Sequence, residues 1–524
     1  MQNILVIRLS AIGDIILASA PLLNLKISHP EARIYFLTKE KNREVAGMLA
    51  GVDEVMTIPD ESGLFALFRI ADNLDKIGFE VVLDLHGNFR SHFISRHLAG
   101  LKERYSKRRW QRLRATFRGK RKHITPDPPH TIDLYNQAAG QAGFPAVARR
   151  AVVCIKRTDT PPDSIGPGGP VIAIAPGASF PTKQWFPERF ESLAVNLHSK
   201  LGARIVLYLT DSDWEMERLR EKIPDTHLKI YLNTPLPQLA GSLKAASILV
   251  SNDSALAHLG SAVGTPVLAL FGPTHPTLGF APRGLSDKII QADEFCRPCS
   301  LHGRRRCYRE EQYCFTRILV EDVFASVVEG LKENSKGNRA VFVDRDGTLI
   351  KEKEFIRDPA EVEPEDGSIE AVKLLNAAGH KVVVISNQSG VARGYFSEET
   401  VQTINERVRT LFRQEGALID DILYCPHLPK GEVREYSKQC SCRKPSPGMI
   451  EEASRRHNIN PFLSAVIGDK ISDVELAHVC GARGILVKTG YGTREAEKLS
   501  LRNYLRPEYI ADNLLDGVRY LSGS

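Results

Sequence analysis

The chain has 524 residues, too many for one ordinary hydrophobic core, so roughly two to four domains are expected. Its 42% hydrophobic and 25% charged content is ordinary for a soluble globular protein. No apolar run approaches the roughly 18 to 20 residues that span a bilayer, and Arg8 and Asp14 in the N-terminal stretch argue against a signal peptide. We therefore expect a cytoplasmic protein. Its nine cysteines, two sets of them clustered, favour metal sites or free thiols over disulfides.

Short β-branched runs alternate with amphipathic stretches, which predicts an α/β fold with parallel, doubly wound sheets. The Pro- and Gly-rich stretch 158–170 and the polar stretch 332–339 are predicted linkers. They divide the chain into lobes at 1–160 and 161–333 and a third domain at 340–524. The predicted strands are Ile4–Ile7, Arg33–Leu37, Val81–Leu85, Val171–Ala175, Arg204–Leu209, Ile248–Ser251, Pro266–Leu270, Ala340–Val343, Lys381–Ser386, Ala465–Gly468 and Gly484–Lys488.

The first predicted strand leads into a glycine turn and a helix. Gly13 permits the turn, and Asp14 stands at the entrance of the helix. No GxGxxG loop follows, so NAD is not favoured. Asp14 is a candidate base, and a helix cap is the alternative interpretation.

The basic segment, residues 102–122, holds eleven Lys/Arg and one Glu, a net charge of +10. The whole chain carries +7, so the remainder is 7 − 10 = −3. Such a segment suits phosphates on nucleic acid, an anionic membrane or a glycolipid, and the alternative is a solvated helix and loop.

The second lobe contains "PGASFPTKQW" and "SNDSALAHLGSAVGTPVLALFGPT", each after a predicted strand. Lys183 can meet a diphosphate, and Ser254, Ala255 and His258 lie near a helix start that favours phosphate. His258 could also be an ordinary buried helix histidine.

These segments resemble the family 9 glycosyltransferases, the ADP-heptose:lipopolysaccharide heptosyltransferases, from residue 1 to about 330. The resemblance implies a two-lobed, Rossmann-like GT-B fold and inversion at the anomeric carbon, with Asp14 as base. It implies ADP-heptose as donor and a lipopolysaccharide core acceptor, and hence peripheral contact of the basic segment with the inner membrane surface. No nucleic-acid fold signature accompanies the charge, so nucleic acid is not expected. The residues that match ADP-sugar-binding positions are Lys183, Asp253, Ser254, Ala255 and His258.

A cysteine cluster near the end of this region has two readings. It could bind a metal or hold free thiols, and the sequence does not decide between them. Its members are Cys296, Cys299, Cys307 and Cys314.

The third domain opens with "AVFVDRDGTLI", in which a strand delivers Asp344 and Asp346 into a turn. One carboxylate can attack phosphorus, and the other can protonate the leaving alcohol and then activate water. Mg²⁺ is needed to offset the crowded negative charge, and Asp469 supplies a third carboxylate. Ser386 and Lys444 can hold the transferring phosphoryl group. This order of motifs resembles the haloacid dehalogenase superfamily, here without room for a large cap domain.

A loop in this domain carries three thiols and an imidazole, which suit a closed tetrahedral Zn²⁺ site. Scattered core residues are the alternative. The zinc ligands would be Cys425, His427, Cys440 and Cys442.

The loop, with "SNQSGVARG" and "CRKP", resembles the heptose-1,7-bisphosphate 7-phosphatases and, less closely, the histidinol-phosphate phosphatases. The resemblance implies substrate-binding roles for Asn387, Gln388 and Arg443, and places Lys470 beside the magnesium ligand Asp469. Substrate choice would fall to loops such as 351–364 and the zinc loop.

Taken together, the motifs predict an enzyme with two activities on heptose, a transferase and a magnesium-dependent phosphatase. The alternatives are a phosphatase for histidinol phosphate or another small phosphate ester, and a non-catalytic glycolipid-binding GT-B lobe.

Overall fold

The computed structural model describes residues 2–60, 63–108, 112, 113, 116, 129–155, 169–284, 286–335, 337–499 and 506–522. The chain forms two compact units, Met1–Ser335 and Lys336–Ser524. The predicted lobe boundary at 160/161 lies outside the described residues. No helix in the described ranges is long and apolar enough to cross a bilayer.

The first unit begins with a parallel sheet of order β3-β2-β1-β4-β5. Its strands are β1 Asn3–Ile7, β2 Arg33–Lys39, β3 Glu54–Ile58, β4 Val81–Asp84 and β5 Leu101–Arg104. The helices of this lobe are α1 Ile12–Leu17, α2 Ser19–Ser28, α3 Arg43–Ala46, α4 Leu64–Asp75, α5 Phe89–His97 and α6 Thr131–Gln141. The central strand β1 is apolar and buried from Ile4 to Ile7, as a strand covered on both faces must be.

A second parallel sheet in the same unit has the order β11-β10-β9-β6-β7-β8. Its strands are β6 Val171–Ala175, β7 Arg204–Leu209, β8 Leu228–Leu232, β9 Ile248–Asn252, β10 Val267–Phe271 and β11 Lys288–Gln291. Its helices are α7 Pro187–Leu201, α8 Leu236–Ala245, α9 Ala255–Val263, α10 Tyr313–Thr316 and α11 Val320–Ser335. One hydrophobic cluster includes residues of both sheets, among them Ile4 and Leu249, so the two lobes share apolar packing.

The linker predicted at 332–339 is helical in its first part. Helix α11 continues to Ser335, because Val323 and Val327 anchor it in the core of the second sheet. Packing of these residues overrides the polar composition of its last turn.

The second unit has one parallel sheet of order β14-β13-β12-β15-β16-β17. Its strands are β12 Ala340–Val343, β13 Lys381–Asn387, β14 Asp421–Cys425, β15 Ala465–Gly468, β16 Arg483–Val487 and β17 Tyr509–Ala511. Its helices are α12 Ser368–Ala377, α13 Glu398–Gln414, α14 Gly448–His457, α15 Ile471–Cys480, α16 Gly492–Leu499 and α17 Leu514–Ser522.

Strand order fixes where this unit places its polar groups. Strand β12 lies between β13 and β15, and all three run parallel. Their carboxyl ends therefore meet at one edge of the sheet, at the point where the strand order reverses. Within 337–499 and 506–522, hydrophobic clusters cover both faces of the sheet and no separate cap domain is inserted.

Candidate active sites

Three carboxylates converge at the carboxyl edge of the third sheet. Asp344 follows β12, Asp469 follows β15, and Asp473 lies in the first turn of α15. Their ligand oxygens all lie within 4.8 Å of one another, and all three residues are buried. Buried carboxylates at this spacing repel one another, so the arrangement calls for a cation.

Lys444 supplies one positive charge to the cluster. Its ammonium lies 2.8 Å from Asp344 Oδ1 and 2.7 Å from Asp473 Oδ1, and it donates a hydrogen bond to the carbonyl of Ile385 at 3.1 Å. Burial opposes its charge, but the two carboxylates raise the pKa of Lys444 above its ordinary value. It is therefore a fixed cation beside the predicted nucleophile.

A second cation is favoured at Asp469. Burial, and then the nearby Asp344, raise the pKa of Asp469 to about 8. Its Oδ2 accepts a hydrogen bond from the N–H of Tyr491 at 2.8 Å, while its Oδ1 is buried without a hydrogen-bond partner in the described chain. Gly347, at φ +84°, is needed here, because a Cβ would lie 2.5 Å from Asp469 Oδ2. The chemistry of this donor set fits a divalent cation that prefers oxygen ligands.

Asp346 is held apart from the three clustered carboxylates. Gln388 donates to its Oδ2 at 2.7 Å, and the buried Arg345 donates to both of its oxygens. Ser386 Oγ lies 3.4 Å from Asp346 Oδ2 and accepts a hydrogen bond from Gln388 at 2.7 Å. Asn405 fixes the other end of Arg345 through a 2.8 Å hydrogen bond.

The predicted metal loop brings its four side chains together. The sulfur of Cys425 lies 3.5 Å from that of Cys440 and 3.2 Å from that of Cys442. His427 Nδ1 lies 3.4 Å from the sulfur of Cys442, and all four ligand atoms lie within 4.8 Å of one another. The hydrogen bond between the Cys425 and Cys442 sulfurs lowers the pKa of Cys442 to about 5, which favours a thiolate there.

Two further predicted residues join this loop to the carboxylate cluster. Arg443 donates to the carbonyl of His427 at 3.0 Å. Asn387 bonds the backbone of Lys444 twice, accepting from its N–H at 3.0 Å and donating to its carbonyl at 3.2 Å. Ordering the loop therefore orders Lys444.

Lys470 lies at the mouth of the site. Its ammonium is 3.8 Å from both Asp469 and Glu352, and it lies 4.6 Å from the centre of the Tyr491 ring. Although burial opposes it, Asp344 and Asp469 raise the pKa of Lys470.

The first unit presents Asp14 in the first turn of α1, where Arg8 forms an ion pair with it. Arg8 is buried and donates to the carbonyl of Leu85, at the end of β4, at 2.7 Å. His86 is next in the chain, and burial, then Arg8, lower its pKa to about 3. Asp14 thus lies where β1 and β4 end.

His258 of the second lobe packs against Gly13, the residue before Asp14. A Cβ on Gly13 would lie 2.7 Å from the His258 ring, so only glycine allows this approach. His258 is buried, and burial lowers its pKa although Asp253 and Asp14 act in the opposite direction. Its Nδ1 has no hydrogen-bond partner in the described part of the chain.

Lys183 and Asp253 form an ion pair of 2.8 Å in the same cleft. Thr274 donates to Asp253 Oδ2 at 2.7 Å. Ser254 is the N-cap residue of α9, and Ala255 is the first residue of that helix; the hydroxyl of Ser254 lies 3.1 Å from that of Ser251. A cation and a helix N-terminus at one place suit a diphosphate.

The cysteine cluster lies behind Lys183. Its four cysteines line one cavity of about 20 Å³. Among the described residues, their thiols do not share the 4.8 Å spacing of the two clusters above. The segment instead supports the lysine turn, since Thr182 donates to the carbonyl of Arg304 at 2.8 Å and accepts from Gln312 at 2.7 Å.

Most of the basic segment lies outside the described residues, which include only 102–108, 112, 113 and 116 of it. Arg112 is buried, donating to Tyr105 and Thr131. The sequence predicts Arg112 to be one of the exposed cations of the basic segment, but tertiary packing buries its side chain.

Sequence reasoning missed the roles of Arg345 and His86. His86 follows a predicted strand by one residue, so the rule that polar groups gather at strand ends could have found it. Arg345 stands inside the quoted motif, but its partners Asp346 and Asn405 became evident only from the fold.

Comparisons with known proteins agree with this geometry. The sequence model of glycosyltransferase family 9 (heptosyltransferase) matches residues 67–307. Models described as polynucleotide kinase 3 phosphatase and HAD-hydrolase-like match residues 339–477 and 441–517. A solved glycosyl transferase family 9 structure from Veillonella parvula is 19% identical, covers 63% of this chain and 98% of its own, and has a TM-score of 0.51. That likeness shows the fold, which confirms the predicted two-lobed GT-B architecture.

Curated relatives match about a third of the chain. The D-glycero-alpha-D-manno-heptose-1,7-bisphosphate 7-phosphatase of Photorhabdus laumondii is 40% identical over 169 residues, which are 32% of this chain and 92% of the relative. The D-glycero-beta-D-manno-heptose-1,7-bisphosphate 7-phosphatase of Haemophilus ducreyi is 38% identical over 189 residues, 36% of this chain and 100% of the relative. The chain therefore belongs to the heptose-1,7-bisphosphate 7-phosphatase family, and it carries in addition a region of glycosyltransferase family 9.

Proposed function

We propose that this protein is a bifunctional enzyme of lipopolysaccharide heptose metabolism. The second unit would hydrolyse the 7-phosphate of D-glycero-D-manno-heptose 1,7-bisphosphate. The first unit would transfer heptose from ADP-heptose to a lipopolysaccharide core acceptor. The observation that carries the phosphatase proposal is the contact of Lys444 with both Asp344 and Asp473 beside Asp469.

Phosphate removal would proceed in two displacements. The Asp344 carboxylate attacks phosphorus, the bond between phosphorus and the C7 oxygen breaks, and Asp346 gives its proton to that oxygen. Asp346 then takes a proton from water, the water oxygen attacks the aspartyl-phosphate, and the bond to Asp344 breaks to release inorganic phosphate. Ser386 and Lys444 hold the phosphoryl oxygens during both steps. Asn387 and Gln388 support these groups through the hydrogen bonds described above. Arg443, which donates to the carbonyl of His427, and Lys470 would face the incoming substrate.

Two metals fit this unit. Asp344 and Asp469 would hold Mg²⁺, with Asp346 nearby, and the ion would offset the charge of phosphate against carboxylates. Sulfurs at the corners of a tetrahedron, each about 2.3 Å from its centre, would lie about 3.8 Å apart, a few tenths of an ångström more than the 3.2 to 3.5 Å separations of the Cys425, Cys440 and Cys442 sulfurs. Zn²⁺ held by these thiolates and His427 would stiffen the loop that carries Lys444.

For the transferase we propose residues 1–160 as the acceptor lobe and 161–333 as the nucleotide-sugar lobe. Asp14 takes the proton of the acceptor hydroxyl as its oxygen attacks the anomeric carbon. Lys183 leaves Asp253 to balance the charge of the departing ADP. Ser254, Ala255 and His258 complete the diphosphate site. The basic segment would bring the protein to the inner face of the cytoplasmic membrane, where a phosphorylated glycolipid acceptor lies.

A comparison of phosphatase substrates tests the proposal. The full-length protein is given the α- and β-anomers of heptose 1,7-bisphosphate and, as comparator, histidinol phosphate. We expect release of one phosphate per heptose and a kcat/KM at least about a hundredfold higher than for histidinol phosphate. A preference for histidinol phosphate would contradict the substrate assignment. In parallel, radiolabelled ADP-heptose and a heptose-deficient lipopolysaccharide test the transferase.

A further inference from the structure

Two helices of the first lobe expose phenylalanine rings. Phe65 and Phe68 lie on α4, and Phe89 and Phe93 lie on the neighbouring α5. Phe65 is 78% exposed, Phe89 68% and Phe68 47%. The rings of Phe68 and Phe93 meet edge to face with centroids 4.6 Å apart, and those of Phe89 and Phe93 lie 6.4 Å apart. We call these four residues the aromatic surface.

Phe93 packs partly against the core, whereas Phe65, Phe68 and Phe89 are exposed and are not needed by it. Helix α4 already buries Leu67, Ala71 and Leu74 on the sheet side. Contiguous exposed aromatic side chains are uncommon on a soluble protein and mark a contact site. We therefore expect a binding partner to cover the aromatic surface.

The rim of the aromatic surface is basic. A groove of about 380 Å³ is lined by Phe89, His92, Phe93, Arg96 and His97. Arg104, on β5, is about half exposed and places its Nη1 3.5 Å from His92 Nδ1, while its Nε lies 3.6 Å from Oδ2 of the buried Asp84. The nearby carboxylate of Asp72 is already paired with His97 at 2.6 Å. Aromatic rings bordered by cations are the composition that anionic membrane interfaces attract.

The aromatic surface leads to the cleft of the transferase. A Cβ on Gly87, two residues before Phe89, would lie 3.5 Å from both Arg104 Nε and Lys107 Cε. The carbonyl of Leu85 binds Arg8, the partner of Asp14. A phosphorylated headgroup held by Arg104 and Lys107 would thus lie between the aromatic surface and Asp14.

A second copy of the chain is a less suitable occupant. A symmetric contact would bring Arg96 and Arg104 of both copies face to face, and these like charges would repel one another. An anionic bilayer instead complements all of these charges.

We propose that the aromatic surface docks on an anionic lipid bilayer, with Phe65 and Phe89 entering the acyl boundary and Arg96 and Arg104 contacting lipid phosphates. This inference rests on the proposed function, because the bilayer is where a glycolipid acceptor would be presented.

Vesicle sedimentation of the full-length protein tests docking. The probe is phosphatidylcholine vesicles containing about one third phosphatidylglycerol. We expect binding that weakens in high salt, and the double variant Phe65→Ser/Phe89→Ser should lower it by about tenfold or more. Leu418→Ser, which removes an apolar side chain that is 58% exposed in the second unit, is the matched control and should bind normally. Heptosyl transfer to a deacylated, soluble acceptor should be unchanged in the double variant, which shows that it is folded.

Three results would overturn docking: no vesicle binding by the unaltered protein, equal binding by the double variant, or a dimer in gel filtration that the double variant abolishes. Absence of transfer to any acceptor would contradict the proposed transferase function instead. Vesicle binding needs no turnover, so the two failures are distinguishable.

Discussion

Asp344 combines burial with a fixed cation at 2.8 Å, and this pairing suits a nucleophile. Lys444 pairs with its carboxylate and orients it, while the hydrogen bond from Arg345 N–H to Asp344 Oδ1, 2.8 Å long, fixes its rotation. We propose that Asp346 transfers the proton, because its surroundings differ: Gln388 and Arg345 bind it outside the group of clustered carboxylates. Two carboxylates two residues apart thereby acquire different roles.

Replacing Asp344 by Asn keeps its size and removes the attacking charge. We expect the Asp344→Asn variant to lose phosphate release by about three orders of magnitude or more. Heptosyl transfer should be unchanged, because the transferase residues lie in the other compact unit. Phosphate release is measured with heptose bisphosphate, and the exposed Asp366→Asn serves as control. Near-normal activity of Asp344→Asn would show that another group is the nucleophile.

Substitution of Asp14 and of Lys183 should affect turnover and donor binding differently. Asp14→Ala removes the base but leaves the nucleotide side of the cleft intact, so turnover falls while ADP-heptose still binds. Lys183→Ala loses a charge-assisted contact with the diphosphate, so donor affinity falls as well, by about tenfold or more. Calorimetric titration with ADP-heptose measures both. If only Asp14→Ala abolished donor binding, the two lobes would have been assigned the wrong way round.

The motif residues could be predicted because each follows an apolar strand within a few positions. Asp344, Ser386 and Asp469 stand at the ends of β12, β13 and β15, and parallel strands bring such ends together. The pairing of Arg345 with Asn405, sixty residues on, depends on how α13 packs and has no local signal.

At the scale of elements, the predicted strands are confirmed to within a residue or two, and the strands that were missed all lie at sheet edges. They are β3, β5, β8, β11, β14 and β17. An edge strand is covered less, so its sequence needs fewer apolar residues: β5 reads LKER and is largely exposed, whereas the central β12 reads AVFV and is buried. Apolar runs therefore identify the interior of a parallel sheet and not its width.

The metal loop is expected to act as one element, since it carries the proposed zinc ligands Cys440 and Cys442 and also Lys444. Cys440→Ser removes one of four ligands. We expect the variant to contain one zinc fewer per chain and to lose most phosphatase activity, because the loop then no longer fixes Lys444. Elemental analysis of both proteins gives the difference, and Cys154→Ser in the first unit is the matched control. Equal zinc content in Cys440→Ser and the unaltered protein would contradict the site.

At the scale of the whole molecule, the two lobes of the first unit are joined by contacts around His130. Its Nε2 lies 2.8 Å from the carbonyl of Ala281, and its Nδ1 accepts from the N–H of Ile132 at 3.2 Å at the start of α6. Arg283 pairs with Asp133 at 2.7 Å beside it. His130 must stay neutral to accept that hydrogen bond, and burial lowers its pKa to about 4.

Stability of the first unit should consequently depend on pH. Below about pH 6.5 a histidine of the unfolded chain binds a proton, while His130 in the folded protein does not until about pH 4. Its contribution is therefore fully present above pH 6.5 and is lost as the pH falls. Between pH 7.5 and 5.0 the loss is about 2 kcal/mol for this one group. His86, with its pKa near 3, adds to the loss in the same direction.

The His130→Asn variant isolates this contribution, because asparagine can still accept at the helix N-cap but does not titrate. All three tryptophans, Trp110, Trp185 and Trp214, belong to the first unit, so urea unfolding followed by tryptophan fluorescence reports on that unit alone. Between pH 7.5 and 5.0 the variant should lose about 2 kcal/mol less unfolding free energy than the unaltered protein. His29→Asn, at an exposed position, should keep the original pH dependence. An equal loss in His130→Asn and the unaltered protein would mean that His130 does not stay neutral at the lobe junction.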